Sequence, residues 1–288
     1  MSIALAKNYV ALLDEVYKKE SVTSMLNSPA EMIRAGANAN EIMVPKLSMD
    51  GLADYSRNSG YTKGDVSLAW ETVAFNYDRG RKFEVDSMDN EETIDVAFGR
   101  LASEFIRTKV APEGDAFTFA TICGITGIGK VATGATLSTG QAVLDAIVVG
   151  MGEMDEAEVP EEDRVLFITP TLYNLVINSA TTVSREILDS LEIQKVPQSR
   201  FYTAIDLADG TTSGEEAGGY SKATAGKDIN FLIVHKGAIL KHDKHTASDV
   251  ITPAENQSSD GWIQKYRKYG LVDVYDNKVA GVYLHHKA

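Results

Sequence analysis

The sequence predicts an α+β fold in which a long extended hairpin and one long helix precede a region of alternating helices and strands. Three patterns predict it: an extended, polar-tipped stretch over residues 41–87, an amphipathic stretch from about residue 90, and short apolar runs separated by helix-capping residues after residue 116. Hydrophobic residues make up 44% of the 288 positions, which is enough for a folded core.

The charge balance argues against a surface whose main task is to bind phosphates. The chain has 28 Lys and Arg against 41 Asp and Glu, a formal net charge of −13, whereas nucleic-acid-binding surfaces depend on clusters of Lys and Arg. A local basic patch stays compatible with these counts. The single cysteine, Cys123, excludes an internal disulfide framework and a multi-cysteine metal site, and it fits a reducing cytosolic place of synthesis.

The first 40 residues predict a helix followed by a break. Tyr9, Leu12 and Val16 recur at helical spacing, and the Asn-Ser-Pro sequence at 27–29 ends the pattern. Two interpretations stay open: a helix packed on its own core, which composition favours, or an arm that docks on a neighbouring subunit. No secretory signal is expected, and no run approaches the ~20 apolar residues needed to span a bilayer.

The next segment predicts a two-stranded hairpin from about 41 to 87. Residues 54–65 are polar and contain two glycines, as expected of a loop tip. Pro45 indicates an edge position. The alternation changes parity near Glu71, which predicts a β-bulge. An isolated hairpin is marginal in water, so this one must pack on its own body or on another chain.

The strongest helical pattern follows the hairpin. Asp89 or Asn90 can cap it, and Ile94, Leu101 and Phe105 lie along one face. Because a proline inside a helix removes a backbone donor and clashes with the preceding turn, we expect the helix to end at Ala111 and Pro112.

The rest of the chain predicts alternating elements. Thr139 can cap a helix, Thr169 can cap another that begins with Pro170, and 206–228 is a glycine-rich stretch expected to be a mobile surface loop. The predicted strands are 116–122, 165–168, 230–235, 262–275 and 279–285, and a further helix is predicted over 184–193.

No pattern predicts an enzyme, a metal site or a cofactor. Residues 124–130 (GITGIGK) have the glycine and lysine spacing of a phosphate-binding P-loop, but Val131 stands where the motif needs Ser or Thr. His242 and His245 lie close together beside lysines, so a solvated turn is favoured over zinc. Cys123 lies in an apolar context expected of a buried, inert thiol.

The order of these elements resembles the major capsid proteins of tailed bacteriophages, with the Hong Kong 97-type capsid fold. The likeness covers nearly the whole chain, and the order of the segments is more specific than any one segment alone. It rests on EIMVPKLS (41–48), FEVD (83–86), the long helix 90–111, VPEEDRVLFITP (159–170), FLIVHKGAI (231–239) and GLVDVYDNKVAG (270–281).

The resemblance implies a domain plan. Residues 1–40 correspond to an N-arm and 41–88 to an extended hairpin called the E-loop. A peripheral domain with the long spine helix takes 89–125 and 236–275. An axial domain takes 126–235 and 276–288, with the glycine-rich loop near a capsomer axis.

The resemblance also implies a function. The chain would be a structural protein, not an enzyme, that self-assembles as hexamers and pentamers into an icosahedral head enclosing double-stranded DNA. Its partners would be copies of itself, a separate scaffolding protein, a portal, and DNA held by weak non-specific contact, with no membrane. It would be made in the bacterial host cytoplasm and reside in the virion. The alternatives are an encapsulin-like compartment shell and a nucleotide-binding protein built on residues 124–130.

Five residues are candidates for contacts between subunits. Some relatives join a hairpin lysine to an asparagine of another subunit by an isopeptide bond, and Lys63 and Asn277 are the pair that the resemblance nominates here; the base expectation is no crosslink. Apolar hairpin residues would pack across a neighbour. The candidates are Tyr61, Lys63, Trp70, Phe75 and Asn277.

Overall fold

The computed structural model describes residues 21–28, 34–35, 41–92, 101–179 and 188–288. The helices are α1 (Ser87–Glu92), α2 (Leu101–Phe105), α3 (Ala111–Gly124), α4 (Gly140–Glu156) and α5 (Pro170–Asn178), and a π-helical turn, Ile106–Val110, joins α2 to α3. The strands are β1 (Arg34–Ala35), β2 (Glu41–Met49), β3 (Val66–Ala74), β4 (Tyr77–Asp86), β5 (Gly129–Lys130), β6 (Arg164–Ile168), β7 (Glu192–Lys195), β8 (Ile205–Leu207), β9 (Tyr220–Lys222), β10 (Ile229–His235), β11 (Ile239–Ile251), β12 (Gly261–Val274) and β13 (Val282–His286).

The core is built on a five-stranded mixed sheet with the order β5-β13-β10-β6-β7. Every residue of β6 is buried. Because side chains alternate across a strand, Val165 and Phe167 join the apolar cluster that contains α3, while Leu166 and Ile168 join the cluster that contains α4 and α5. The sheet is therefore covered by helices on both faces.

A second, longer sheet lies beside this core. Its order is β11-β12-β4, and β4 pairs with β12 from the Gly261–Asp86 pair to the Gly270–Tyr77 pair. The ring of Phe105 on α2 lies 4.8 Å from that of Phe83 and 5.8 Å from that of Tyr266. These aromatic contacts fix the long helix across the sheet.

The predicted end of the long helix at Ala111 and Pro112 is wrong, and so is the predicted strand 116–122. The helix continues through Pro112 to Gly124. The π turn before the proline widens the backbone, and widened turns of this kind accommodate prolines that would otherwise break a helix. Ala116, Phe119 and Ile122, read as a strand, are instead the fully buried face of α3 at three-residue spacing.

The hairpin is shorter than predicted. It consists of β2 and β3, whereas β4 leaves it to join β12, so the expected extent to residue 87 is wrong. The β2–β3 register runs unbroken from the Glu41–Ala74 pair to the Met49–Val66 pair. The β-bulge expected near Glu71 is therefore absent.

Other local predictions also need correction. His242 and His245 lie in β11, at a register shift, and not in a turn. The stretch 206–228 carries the β8–β9 pair, and Ile193, assigned to a helix, lies in β7. Leu188 and Asp189 of that predicted helix are helical, and its positions 184–187 fall outside the described residues, as do the N-terminal helix and positions 93–100 of the long helix.

Several predictions are confirmed. The hydroxyl of Thr139 accepts a hydrogen bond from the Ala142 amide (3.2 Å) and begins α4. Thr169 holds the N-cap position and Pro170 begins α5, although the Thr169 hydroxyl makes no capping hydrogen bond. Strands β6, β10, β12 and β13 lie within about three residues of their predicted bounds.

Candidate assembly interface

The β2–β3 hairpin presents two chemically different faces. The register pairs Pro45 with Trp70, Leu47 with Leu68 and Met49 with Val66, so these side chains share one face. Leu47, Leu68, Met49 and Val66 are each more than half exposed, at 54%, 57%, 64% and 66%. An apolar stripe along an exposed strand pair is typical of a surface that another protein covers.

The hairpin tip, residues 50–65, adds further exposed apolar groups. Tyr61 is 89% exposed and its ring lies 4.8 Å from that of Tyr55. The Asp50 carboxylate accepts a hydrogen bond from the Asp65 amide (2.8 Å), which closes the base of the tip. The tip thus carries aromatic side chains at the end of a defined turn.

The opposite face of the hairpin anchors it to the body. Ile42 and Val44 on β2 are buried against Leu240 and Leu271 of the long sheet. The side chain of Asn76, just after β3, donates to the Val272 carbonyl (2.8 Å) and accepts from the Val272 amide (3.1 Å). The Asn76 amide thereby supplies the two hydrogen bonds that a neighbouring strand would otherwise make with Val272, at the point where the chain passes from one sheet to the other.

The five candidate contact residues fall in three places. Tyr61 and Lys63 lie in the tip, and Trp70 lies on the exposed apolar face at 41% exposure. Phe75 lies at the hairpin base, half-buried, with its ring 4.7 Å from that of Tyr269 and the Lys244 ammonium 4.9 Å away. Asn277 lies in the 3₁₀ turn before β13.

Lys63 and Asn277 lie apart within one subunit. Lys46 on β2 contacts Asp276, the neighbour of Asn277, at 3.4 Å. The tip that carries Lys63 begins beyond Met49, three residues and therefore roughly 10 Å further along the strand.

Sequence reasoning missed a buried polar clamp that holds residues 21–28 to the body. Asp115 on α3 is fully buried and accepts hydrogen bonds from Ser21 Oγ (2.7 Å), the Val22 amide (3.1 Å), and the amide and hydroxyl of Thr23 (3.2 and 2.8 Å). Arg200 Nη1 pairs with the same carboxylate at 2.9 Å. Buried charges persist when they are paired and hydrogen-bonded in this way.

Lys241 completes this clamp from the long sheet. Its ammonium donates to the carbonyl and the hydroxyl of Thr23, at 3.0 and 2.8 Å. Burial lowers the pKa of Lys241 to about 8. With Val22 and Leu26 buried in the core, residues 21–28 are fixed by polar and apolar contacts together.

A second ion pair on α3 ties the long sheet to the glycine-rich stretch. Glu113 accepts from Arg79 Nε (2.7 Å) and the Tyr77 hydroxyl (3.2 Å). Arg79 Nη2 also donates to the Ala208 carbonyl at 2.8 Å. The loop that follows β8 is therefore held against β4.

The residues considered for catalysis or binding do not form such sites in the described part of the chain. Residues 124–130 follow a helix and end in a strand, the reverse of the strand–loop–helix order that a P-loop requires. Burial raises the pKa of the Cys123 thiol, which disfavours the reactive thiolate. Over the described ranges, no group of three or more His, Cys, Asp or Glu is placed to hold a metal.

None of the helices within the described ranges is long and apolar enough to cross a membrane.

The chain resembles solved capsid structures. It aligns with the asymmetric unit of the bacteriophage PhiM1 mature capsid at 12% identity and a TM-score of 0.66, covering 96% of this chain and 90% of the other. For the capsid of cyanophage P-SCSP1u the identity is 14%, the TM-score 0.62 and the coverages 96% and 90%. For a virus-like particle from Pyrococcus furiosus they are 11%, 0.54, 98% and 96%.

No protein-family model and no curated protein matches the sequence. The likeness therefore rests on three-dimensional structure, and it spans nearly the full length of both chains in each comparison. The chain has the capsid fold of tailed bacteriophages, the Hong Kong 97 type.

Proposed function

We propose that this chain is the major head protein of a tailed bacteriophage and assembles as hexamers and pentamers into an icosahedral shell around double-stranded DNA. The observation that carries the proposal is the apolar face of the β2–β3 hairpin, exposed on a chain with a capsid fold. A subunit gains stability by mass action when partners cover such a surface.

The hairpin face supplies the association energy in this proposal. Burying a leucine that is about half exposed contributes about 1 kcal/mol, and Leu47 and Leu68 lie side by side. Repeated around every subunit, such contacts sum to a stable shell. The net charge of −13 opposes association, so assembly should improve as salt screens the repulsion.

The domain plan and the remaining partners belong to the same proposal. Residues 1–40 act as the arm and 41–88 as the E-loop segment, whose last strand β4 lies in the long sheet. Residues 89–125 and 236–275 act as the peripheral domain, and 126–235 and 276–288 as the axial domain. A separate scaffolding protein, a portal and weakly held DNA complete the particle. Synthesis takes place in the host cytoplasm. Lys63 and Asn277 stay the candidate pair for a bond between subunits, which a denaturing gel of particles tests.

Assembly of hairpin variants tests the proposal. We expect closed shells from the purified protein with its scaffold, and few or none from the Leu47→Ser/Leu68→Ser double variant, by electron microscopy. The matched control is Ser48→Ala/Ser67→Ala, a facing pair on the other side of the same strands, which should assemble normally. Equal shell yields from the two double variants, or no shells from the native chain, would contradict the proposal.

A compartment shell that stores protein cargo is the second candidate, because one of the similar structures is a virus-like particle from Pyrococcus furiosus. Both functions use the same hairpin contacts. The contents of native particles separate them: nuclease-resistant DNA supports the phage head, and a co-purifying protein cargo without DNA supports the compartment.

A further inference from the structure

The chain between β5 and α4, residues 131–138, crosses the end of the central sheet, and we call it the crossing segment. It is tied to the sheet through Ala135. The Ala135 amide donates to the His286 carbonyl (3.0 Å), and the Ala135 carbonyl accepts from Asn230 Nδ2 (2.7 Å). Both backbone polar groups of Ala135 are therefore hydrogen-bonded to strands of the sheet.

The side-chain amide of Asn230 also contacts a buried histidine. Asn230 Nδ2 lies 3.0 Å from His285 Nδ1, and the two residues are 1% and 4% exposed. His285 stacks on its cross-strand partner Phe231, with the ring centres 5.0 Å apart and the ring planes at 16°. The stack fixes the plane of the imidazole in which Nδ1 faces Asn230.

These contacts determine which atoms carry hydrogen. A backbone carbonyl can only accept a hydrogen bond, so Asn230 must present its NH₂ group to Ala135. The same NH₂ group faces His285 Nδ1, which therefore accepts and carries no hydrogen. The arrangement requires His285 to be neutral, with its hydrogen on Nε2.

Protonation of His285 is incompatible with this arrangement. It adds a hydrogen to Nδ1, so that two donors face each other across 3.0 Å. If the Asn230 amide flips, its oxygen accepts from Nδ1 but then faces the Ala135 carbonyl, which has no hydrogen to donate. In either case a buried polar group loses its partner, and such a loss is costly.

We propose that His285 and Asn230 form an acid-sensitive latch on the crossing segment. With His285 neutral, Asn230 ties Ala135 to the central sheet. With His285 protonated, the tie breaks and the crossing segment opens around Ala135, while the sheet stays folded. The latch goes beyond the proposed function, because it acts within a single subunit and needs no shell.

The surroundings of His285 favour the latched state at neutral pH. Burial, and next the charge of His286, lower the pKa of His285 from its ordinary value of 6.5. The neutral imidazole therefore stabilises the fold above pH 6.5, and this stabilisation is lost as the pH falls through the lowered pKa. The other titratable groups on the elements around His285 are Lys130 on β5, Asp145, Glu153, Asp155 and Glu156 on α4, Tyr173 on α5, Asp228 and His235 at the two ends of β10, and Tyr283 and Lys287 on and after β13.

The neighbouring His286 differs from His285 in this respect. Its Nδ1 contacts the Lys287 carbonyl at 2.6 Å, and since a carbonyl only accepts, this nitrogen carries a hydrogen. Protonation adds a hydrogen to the other ring nitrogen and leaves the contact in place. His286 is therefore a matched control for His285.

Hydrogen exchange of the unassembled subunit, measured by mass spectrometry at pH 7.5 and pH 4.5, tests the latch. Protection factors, which correct for the intrinsic pH dependence of exchange, are compared for the crossing segment and for α3. The Val131 and Ala135 amides of the crossing segment are hydrogen-bonded. We expect their protection to fall about tenfold at pH 4.5, the effect of about one lost hydrogen bond. Protection in α3, on the opposite face of the sheet from Phe231, should not change.

Three variants make the result decisive. His285→Asn should keep the crossing segment protected at both pH values, because its Oδ1 takes the place of Nδ1 as acceptor and does not titrate. Asn230→Ala should leave the segment weakly protected at both. His286→Asn, whose amide can donate to Lys287 as the imidazole does, should respond to pH like the native chain.

Four outcomes would overturn the latch. They are equal native protection at the two pH values, a native-like loss in His285→Asn, a parallel loss in α3, and the absence of a pH response in His286→Asn. Since no shell is required, failure here is distinct from failure of assembly.

Discussion

The central sheet and the hairpin contain similar apolar residues, but these are buried in the central sheet and exposed on one face of the hairpin. Strand β6 buries all five of its residues between helices of its own chain. Strand β3 leaves Val66, Leu68 and Trp70 exposed on one face, and its partner β2 adds Leu47 and Met49. The difference teaches that apolar strand content alone does not make a core, because a strand joins a core only when other elements cover it. Under the proposed function, neighbouring subunits cover the hairpin.

The largest effect is expected on the body side of this comparison, at Asp115. Asp115→Ala removes the carboxylate that pairs with the buried Arg200 and that accepts four hydrogen bonds from donors on residues 21–23. Removing one partner of a buried ion pair costs about 3–5 kcal/mol. Urea unfolding of the unassembled subunit measures it. Asp145→Ala, an exposed carboxylate on α4, is the control, and similar losses in the two variants would contradict the clamp.

A smaller, pH-dependent effect is expected at Lys241. Its pKa is about 8 in the folded chain against 10.5 for the free side chain, so the folded state binds fewer protons between those values. Stability from this group therefore rises as pH increases from about 8 to 10.5, by about 3 kcal/mol in full. Lys241→Met removes this contribution.

The measurement is the difference in unfolding free energy between the native chain and Lys241→Met, taken at pH 7 and at pH 10. Taking the difference cancels the contribution of tyrosine titration in alkali, because both chains contain the same tyrosines. We expect it to shift in favour of the native chain at pH 10. A difference that stays constant would mean that the Lys241 ammonium is not buried as the structure has it.

The smallest effect is expected on the hairpin. Leu68→Ala should change the unfolding free energy of the isolated subunit by less than about 0.5 kcal/mol, as is usual for exposed positions. Leu166→Ala, the same change in β6 where the side chain is fully buried, should cost about 2–5 kcal/mol. Equal losses at the two positions, measured by urea unfolding, would show that the hairpin face is covered in the single subunit.

Elements whose patterns are local were predictable from the sequence. Thr139 marks a helix start because its hydroxyl accepts from an amide only three residues later, and Pro170 marks another because its fixed φ suits the first helical position. Strands β6, β10 and β13 of the central sheet were predictable because a short apolar run between polar connectors is typical of a buried strand.

The failures have a common physical cause, which is that the deciding contacts are distant in sequence. The apolar run 116–122 suggests a strand from sequence alone, whereas in the structure it belongs to a helix whose Phe119 ring packs 5.2 Å from that of Phe167 and 4.8 Å from that of Phe201, both far along the chain. The buried role of Asp115 could not be predicted as long as the following residues, 116–122, were assigned to a strand. In a helix it shares the buried face with Phe119, four residues later. The hairpin was predicted, but its exit at Asn76 depends on Val272, almost 200 residues away.

The open edge of β3 has a consequence for the life of the unassembled chain. The central sheet ends in the two-residue β5 and the four-residue β7, edges too short to template another strand. In the described part of the chain, β3 offers nine residues that pair only with β2, and Val-Ser-Leu-Ala-Trp at 66–70 carries no charge and no proline. Such a segment favours β-aggregation. Under the proposed function, free subunits therefore partition between assembly and aggregation, and a partner that covers the hairpin early protects them from aggregation.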